Sequence, residues 1–236
     1  YAIYARSILG LKPLNPMRPT PDARLRGSVL HKVFERFIDA GVPLDRTEAA
    51  KQLMAQARPV LDDHVPWPVI RSLWLARISR AADWFIDTEL ARQPDILHSA
   101  TEVKGQLELS NLRFRLVAKA DRIDLLADGT LAIYDYKSNP PTPAQIKAFD
   151  KQLLLECLIM HQGKYEKIDT ADVASATYIG LGATPKIVSV TPDYAELAQG
   201  LADLKRLIAA FDDPTKGYLS RRAMEGVSYD GDYDHL

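Results

Sequence analysis

An aspartate and a lysine near the middle of the chain are the residues best suited to chemistry. They belong to Leu131–Lys137, LAIYDYK, whose composition and alternation predict a β-strand. Side chains two residues apart in a strand share a face, so Asp135 and Lys137 should lie side by side, with Ile133 beside them and both tyrosines opposite. The carboxylate could bind a hard divalent cation, and the lysine could orient a water and steady developing negative charge. An ordinary strand-end ion pair is the alternative.

A second carboxylate favours a catalytic interpretation of this pair. Asp121 lies fourteen residues before Asp135, on the preceding predicted strand, and Asp128-Gly129 between them is a strong hairpin signal. Antiparallel pairing about this turn is expected to set Asp121 near Lys137, so that two carboxylates and a lysine converge at one end of two strands. Paired carboxylates bind Mg²⁺ or Mn²⁺, and Mg²⁺ keeps waters that can attack a phosphate.

Three other polar residues carry weaker signals. His31 lies in a predicted helix, and Gln152 lies in the helix that follows the candidate strand. A lone helical histidine is more often an exposed or internally hydrogen-bonded residue than a ligand. A glutamine that precedes a run of leucines can reach into a cleft, but alone it indicates little. Glu102 repeats the acid-x-lysine spacing with Lys104, yet no acidic residue precedes it on a paired strand. A solvated strand residue is therefore the favoured interpretation of Glu102.

Helices and strands must position these residues in a definite order. Apolar residues at helical spacing, with breaks at Gly and Pro, predict helices over 1–10, from Arg26 onward, and over 45–61, 67–91, 142–160 and 193–211. Alternating patterns predict strands over 101–109, 112–126, 131–137, 173–180 and 186–191.

This order predicts an α/β fold in which helices flank a central mixed sheet. We expect a single domain over 1–236, with a mainly helical region over 1–95, an α/β catalytic core over 96–211 and an irregular tail over 212–236. The proline-rich stretch 11–24 predicts an extended loop within the first region.

Composition narrows the possible classes of protein. The 236 residues suit one domain of generous size or two small ones, and 47% hydrophobic and 26% charged residues are ordinary for a globular protein. The formal net charge of -1 lacks the surplus of lysine and arginine that a strongly basic nucleic-acid binder shows. Any DNA binding must therefore be local, metal-assisted or supplied by a partner.

Cysteine content and missing motifs exclude further classes. The single cysteine, Cys157, excludes a disulfide framework and a multi-cysteine metal site within this chain, and it fits a reducing cytoplasm. No apolar run approaches the roughly 20 residues that span a membrane, and no signal peptide is visible. A P-loop is absent, so ATP use must belong to other parts or partners. The missing initial Met and the abrupt acidic end lead us to expect a fragment of a longer protein.

The candidate residues form ordered motifs that resemble those of RecB-type nucleases in the PD-(D/E)XK superfamily. The matching segments are Gly27-x-x-x-His31, Ala120-Asp121-Arg122-Ile123-Asp124, Asp135-Tyr136-Lys137-Ser138 and Gln152-x-x-x-Glu156. The opening YAIYARSILGLKPL, followed by RGSVLHKVFERF, is most similar to the C-terminal nuclease domain of AddB subunits, which belong to bacterial AddAB helicase–nucleases that process double-strand breaks.

The resemblance implies a role for each matching residue. Asp121 and Asp135, with His31 from the helix, would bind Mg²⁺ or Mn²⁺. Lys137 would be the catalytic lysine, and Gln152 would orient that lysine or contact the DNA backbone. The implied fold is a restriction-endonuclease-like PD-(D/E)XK core. The implied activity is phosphodiester hydrolysis, as an exonuclease on single-stranded DNA, in double-strand break repair and recombination.

The resemblance also implies a partner and a cellular location. The sequence differs from the family pattern at two points. A helicase–nuclease protein of AddA type would be the partner, in the bacterial cytoplasm. Many relatives have cysteines that hold an iron–sulfur cluster, but this chain has only Cys157, so no cluster is expected. Glu156 stands where relatives often have tyrosine. The alternative function is a catalytically silent module that guides DNA or docks subunits, and retention of the three central site residues favours an enzyme.

Overall fold

The computed structural model describes residues 2–12 and 20–218. The chain divides into two compact units. Pro21–Ala202 forms the larger unit, and Tyr1–Thr20 together with Asp203–Leu236 forms the smaller one. Every candidate site residue belongs to the larger unit. The assignment of the whole chain to one domain stays a prediction.

Among the described residues, three α-helices precede the first strand, where the sequence predicts helices from Arg26, over 45–61 and over 67–91. They are α1 (Ala23–Asp39), α2 (Arg46–His64) and α3 (Pro68–Arg92). The carboxylate of Asp22 accepts a hydrogen bond from the backbone N–H of the third residue of α1, and Asp45 caps α2 in the same way. A proline opens α3, where its missing N–H leaves no hydrogen bond unmade. Local capping therefore fixes where each helix begins.

A mixed six-stranded sheet forms the centre of the described structure. Its strands are β1 (Ile96–Leu109), β2 (Phe114–Leu126), β3 (Leu131–Lys137), β4 (Lys164–Tyr165), β5 (Val173–Gly180) and β6 (Lys186–Ser189). The order across the sheet is β4-β1-β2-β3-β5-β6, and only the β3–β5 pair among these strands is parallel. The predicted α/β fold with a central mixed sheet is confirmed.

Three more α-helices follow β3 in the part of the chain that the structure describes. They are α4 (Pro143–Ala148), α5 (Gln152–Gln162) and α6 (Tyr194–Asp212). Near the N-terminus, the helix predicted over 1–10 is a short π-helical turn, Tyr4–Ile8. Residues 13–19 of the predicted loop and 219–236 of the predicted tail lie outside the described residues. Within the described ranges, no helix has the length and apolar character needed to cross a membrane.

The single helix predicted over 142–160 is wrong, because the chain breaks between α4 and α5. The hydroxyl of Tyr178 donates a 2.6 Å hydrogen bond to the Asp150 carboxylate, and the Lys151 ammonium donates to two carbonyls near the end of α4. These side-chain bonds stabilise the interruption, which the local sequence does not reveal. As a result Gln152 becomes the first residue of α5.

The two faces of β3 are buried in different surroundings. Tyr134 and Tyr136 face the apolar core formed with α1–α3, where the rings of Phe34 and Phe85 lie 4.4 Å apart and those of Phe34 and Tyr136 lie 5.8 Å apart. Asp135 lies between the two tyrosines in sequence, so it faces the other side of the sheet. The predicted division of faces along β3 is confirmed.

A buried ionic network joins α3 to the sheet. Arg122 donates hydrogen bonds to Glu89 at 2.7 Å and to Asp124 at 2.6 Å, and all three side chains are at most 2% exposed. Removing one partner of such a group leaves an uncompensated buried charge, which costs about 3–5 kcal/mol. Arg122 and Asp124 lie close to Asp121 in sequence but support the fold instead of the site.

Candidate active site

Lys137 is held in place by two side chains. Its ammonium donates a 2.9 Å hydrogen bond to Asp135 Oδ1 and another of 2.9 Å to Gln152 Oε1. The Gln152 amide in turn donates to Asp135 Oδ1, which closes a ring of three side chains. An ammonium has three N–H donors, so one remains for a further acceptor. The side chain of Lys137 is 29% exposed, which leaves this donor accessible.

Asp121 lies opposite Asp135, which differs from the register expected from the sequence. The β2–β3 ladder pairs Arg122 with Tyr134, and its continuation sets Asp121 across from Asp135 instead of next to Lys137. Asp121 Oδ2 accepts a 2.8 Å hydrogen bond from the backbone N–H that follows Asp135. The two carboxylates therefore meet where the strands stop pairing.

The hairpin turn explains this register. Leu126 N–H donates to the carbonyl of Thr130 at 2.9 Å, which leaves three loop residues where an Asp-Gly pair alone predicts two. Gly129 has a φ of 85°, the left-handed conformation that such a loop requires at this position. One additional loop residue shifts the partner of every residue in β2.

His31 and Glu102 complete a group of possible metal ligands around Asp121. His31 Nδ1 lies 3.2 Å from Asp121 Oδ1. One potential ligand atom from each of His31, Glu102 and Asp121 lies within 4.8 Å of the other two. An imidazole nitrogen with carboxylate oxygens is a suitable donor set for a divalent cation such as Mn²⁺ or Mg²⁺. The site thus contains a helix residue and residues from two strands.

Glu102 is a possible ligand that sequence reasoning did not place beside Asp121. The ladder pairs Thr101 with Arg122 and Val103 with Ala120, so Glu102 lies opposite Asp121. Its backbone is left-handed, with a φ of 53°, which is uncommon for a residue other than glycine and is often found at functional sites. Glu102 is partly buried and also forms an ion pair with Lys119, so its interpretation as an ordinary strand residue stays a prediction. Its position beside Asp121 follows from the pairing of β1 with β2.

The electrostatics of the pair of aspartates favour a bound cation. Asp135 is 1% exposed, and burial followed by the charge of Asp121 raises its pKa to about 6, although Lys137 opposes the shift. Asp135 Oδ2 lies 2.7 Å from the Lys137 ammonium but outside hydrogen-bond geometry, so it has a lone pair free for another positive centre. These residues fit a divalent cation.

His31 responds to the same negative charge. Burial by itself would lower the pKa of His31, but its hydrogen bond to Asp121 and the charges of Asp121 and Asp135 raise it above its usual value. A histidine must be neutral to bind a metal, so protons and metal ions compete for this nitrogen.

Glu156 lies beneath the ring formed by Lys137, Asp135 and Gln152. Its Oε1 accepts a 3.1 Å hydrogen bond from the Gln152 amide, and its Oε2 has no hydrogen-bond partner within residues 2–12 and 20–218. Glu156 is 2% exposed, and burial raises its pKa to about 8. At neutral pH this carboxyl is therefore mostly protonated, and it supports Gln152 without adding another negative charge.

Substituting Glu156 with glutamine is expected to stabilise the metal-free protein at neutral and alkaline pH. The folded-state pKa of Glu156 lies above its unfolded value, so wild-type stability falls as pH rises between those two values. Glutamine keeps the acceptor for Gln152 but cannot ionise. The gain in unfolding free energy should grow from near zero at about pH 4 to about 3–5 kcal/mol at about pH 8. Urea unfolding in EDTA across this range measures it.

Glu166→Gln is the matched control, because it makes the same change at an exposed position. It should alter the unfolding free energy by less than about 0.5 kcal/mol at any pH. A Glu156→Gln variant that follows the wild-type pH profile would show that Glu156 is already ionised in the folded protein.

The sequence of the chain is similar to those of known proteins. The sequence profile of the PD-(D/E)XK nuclease superfamily matches residues 1–222. An uncharacterized protein of Rickettsia typhi is 23% identical over 228 residues, which cover 89% of this chain and 26% of that protein. An ATP-dependent helicase/deoxyribonuclease subunit of Streptococcus uberis is 29% identical over 148 residues, which cover 59% of this chain and 12% of that protein. The chain thus spans about a quarter or less of these relatives.

Proposed function

The chain belongs to the PD-(D/E)XK nuclease superfamily, and on that basis we propose that it is a divalent-metal-dependent deoxyribonuclease. The observation that supports this most strongly is the ring of Lys137, Asp135 and Gln152 beside the ligand group at Asp121. A purely structural ion pair between Asp135 and Lys137 would need no second carboxylate beside it. Here Asp121 lies close enough to contribute to the raised pKa of Asp135.

Each side chain has a role in this proposal. His31, Asp121 and Asp135, with Glu102, hold the cation. When bound, Mg²⁺ or Mn²⁺ neutralises charge on the phosphate and makes water a better nucleophile. Lys137 directs its remaining N–H at the attacking water or at the phosphate oxygen that gains charge. Gln152 positions Lys137 and keeps its ammonium within reach of the attacking water and of the phosphate oxygen.

The setting that we propose is a helicase–nuclease complex. The Streptococcus uberis relative carries the name of a helicase/deoxyribonuclease subunit. We infer an exonuclease that acts on single strands delivered by an AddA-type partner, in double-strand break repair and recombination in the bacterial cytoplasm. The formal net charge of -1 supports dependence on a partner, because the chain has no overall positive field to attract DNA. We also expect no iron–sulfur cluster.

Cleavage of a labelled single-stranded oligonucleotide by the purified chain tests this function. We expect products with Mg²⁺ or Mn²⁺, and none with EDTA or Ca²⁺, because Ca²⁺ is larger and activates water poorly. Asp135→Asn, which keeps the shape of the side chain, should be inactive. Cleavage in EDTA would contradict metal dependence, and binding without cleavage by the folded chain would favour a silent DNA-guiding or docking module.

A further inference from the structure

A cavity of about 410 Å³ lies between α1, α3 and the loops that follow β3 and β5. Its floor is apolar and consists of Val29, Leu30, Trp74, Ile78 and Leu181. The volume is within the range of pockets that take small organic groups. A flat, largely apolar group would be suited to this floor.

The rim of the cavity is positively charged. Arg26, Arg77 and Arg80 line it, and none of the lining residues is acidic. In the described part of the chain, Arg26 and Arg77 form no ion pair, whereas three other arginines of α2 and α3 do. Unpaired arginines beside an apolar floor are suited to a ligand that combines an apolar face with negative charge.

Two buried polar atoms in the cavity have no hydrogen-bond partner among the described residues. Arg26 Nε and the hydroxyl of Ser138 are both buried without a hydrogen bond. Buried polar groups in native proteins nearly always have partners, so two unsatisfied groups in one cavity indicate a ligand or ordered water that supplies them.

Residues that line the cavity are neighbours in sequence of candidate active-site residues. Ser138 follows Lys137 directly, and Arg26 precedes His31 by five residues on α1, a rise of about 7.5 Å. Gly182 packs closely against Ser138 in the cavity wall, because a Cβ on Gly182 would lie 2.5 Å from the carbonyl oxygen of Ser138. Ser138 and Leu30, which both line the cavity, are thus the chain neighbours of Lys137 and His31.

We propose that the cavity is a nucleotide subsite that receives one unpaired base of single-stranded DNA beside the phosphate to be cut. The base lies on the apolar floor, and Arg26 and Arg77 contact the neighbouring phosphates. A duplex would first have to unpair and flip a base to fill it, so the subsite gives a physical basis for a preference for single strands. This inference rests on the proposed nuclease function and deepens it.

Binding of oligonucleotides in EDTA tests the subsite without cleavage. Single-stranded DNA is titrated by fluorescence anisotropy at several salt concentrations, with one abasic nucleotide moved along the strand. In the wild-type protein, one abasic position should weaken binding about tenfold, because a stacked base is lost. Ala183→Leu, which fills the cavity from an exposed position, should bind intact DNA about tenfold more weakly and lose this sensitivity.

A second variant tests the charged rim. Arg77→Gln should lower the slope of log affinity against log salt by about one, as expected for one lost phosphate contact. Arg58→Gln removes an exposed arginine of α2 that does not line the cavity, so it is the matched control and should bind like the wild type. Equal effects of these two changes, or an abasic profile unaltered by Ala183→Leu, would overturn the subsite.

Parallel cleavage assays separate this inference from the proposed function. If the wild-type chain cuts DNA but Ala183→Leu and Arg77→Gln bind and cut as well as it does, the subsite is refuted and the nuclease stands. If the wild-type chain shows the abasic signature but never cuts with Mg²⁺ or Mn²⁺, the subsite stands and the nuclease is refuted. Melting temperatures confirm that each variant is folded.

Discussion

Lys137→Ala should reduce the rate of DNA cleavage by about a hundred- to a thousandfold while the fold remains intact. Alanine removes the N–H donor of this ammonium that no described residue accepts, together with the positive charge that opposes the buildup of negative charge on the phosphate. The side chain is 29% exposed, so its loss leaves no large cavity. Single-turnover cleavage rates and melting temperatures, measured together, distinguish a chemical defect from an unfolded protein.

Lys104→Ala is the matched control for this variant. Lys104 has the same spacing from Glu102 as Lys137 has from Asp135, but it is exposed on β1. Its removal should leave the cleavage rate within about twofold of wild type, as is usual for surface substitutions. Near-normal cleavage by Lys137→Ala, with a normal melting temperature, would contradict the role given to this lysine.

Asp121→Asn should weaken Mn²⁺ binding by about a hundredfold or more and abolish cleavage. Asp121 is the one carboxylate that lies next to His31, opposite Glu102 and opposite Asp135, so it links all the proposed ligands. Loss of supporting groups around a metal already costs about 10–100-fold, and loss of a ligand should cost at least as much. Calorimetric titration of Mn²⁺ measures the affinity directly.

The same titration can be extended to His31 and to pH. His31→Ala should also weaken Mn²⁺ binding, and the wild-type affinity should fall as the pH is lowered through the raised pKa of His31, because a proton then occupies the ligand nitrogen. The alanine variant should lose part of this pH dependence. Asp63→Asn, an exposed change on α2, is the control and should bind Mn²⁺ like the wild type. An unchanged affinity in Asp121→Asn or His31→Ala would remove that residue from the ligand set.

Elements with strong local patterns could be predicted from the sequence, and long-range details could not. The strand LAIYDYK has clear alternation and a turn signal before it, and its predicted bounds agree with β3. The break between α4 and α5 depends on a bond between Asp150 and Tyr178, which are far apart in the chain. No pattern within residues 142–160 contains that information.

In the candidate site, too, local features could be predicted from the sequence and long-range ones could not. Asp135 and Lys137 share a face because neighbours two apart in any strand do so, and this could be read locally. The position of Asp121 depends on the number of residues in the hairpin loop, and that of Glu102 depends on the pairing of β1 with β2. The cavity beside the site could not be predicted at all, since it joins two helices and two loops.

A crystal of the chain soaked in Mn²⁺ and measured at the manganese absorption edge tests the central claim most directly. The claim is that His31, Asp121 and Asp135 form one metal centre beside Lys137. We predict an anomalous peak within about 2.5 Å of the His31 imidazole and of both carboxylates. Peaks only at other surface carboxylates, with these side chains unchanged and free of metal, would contradict the claim.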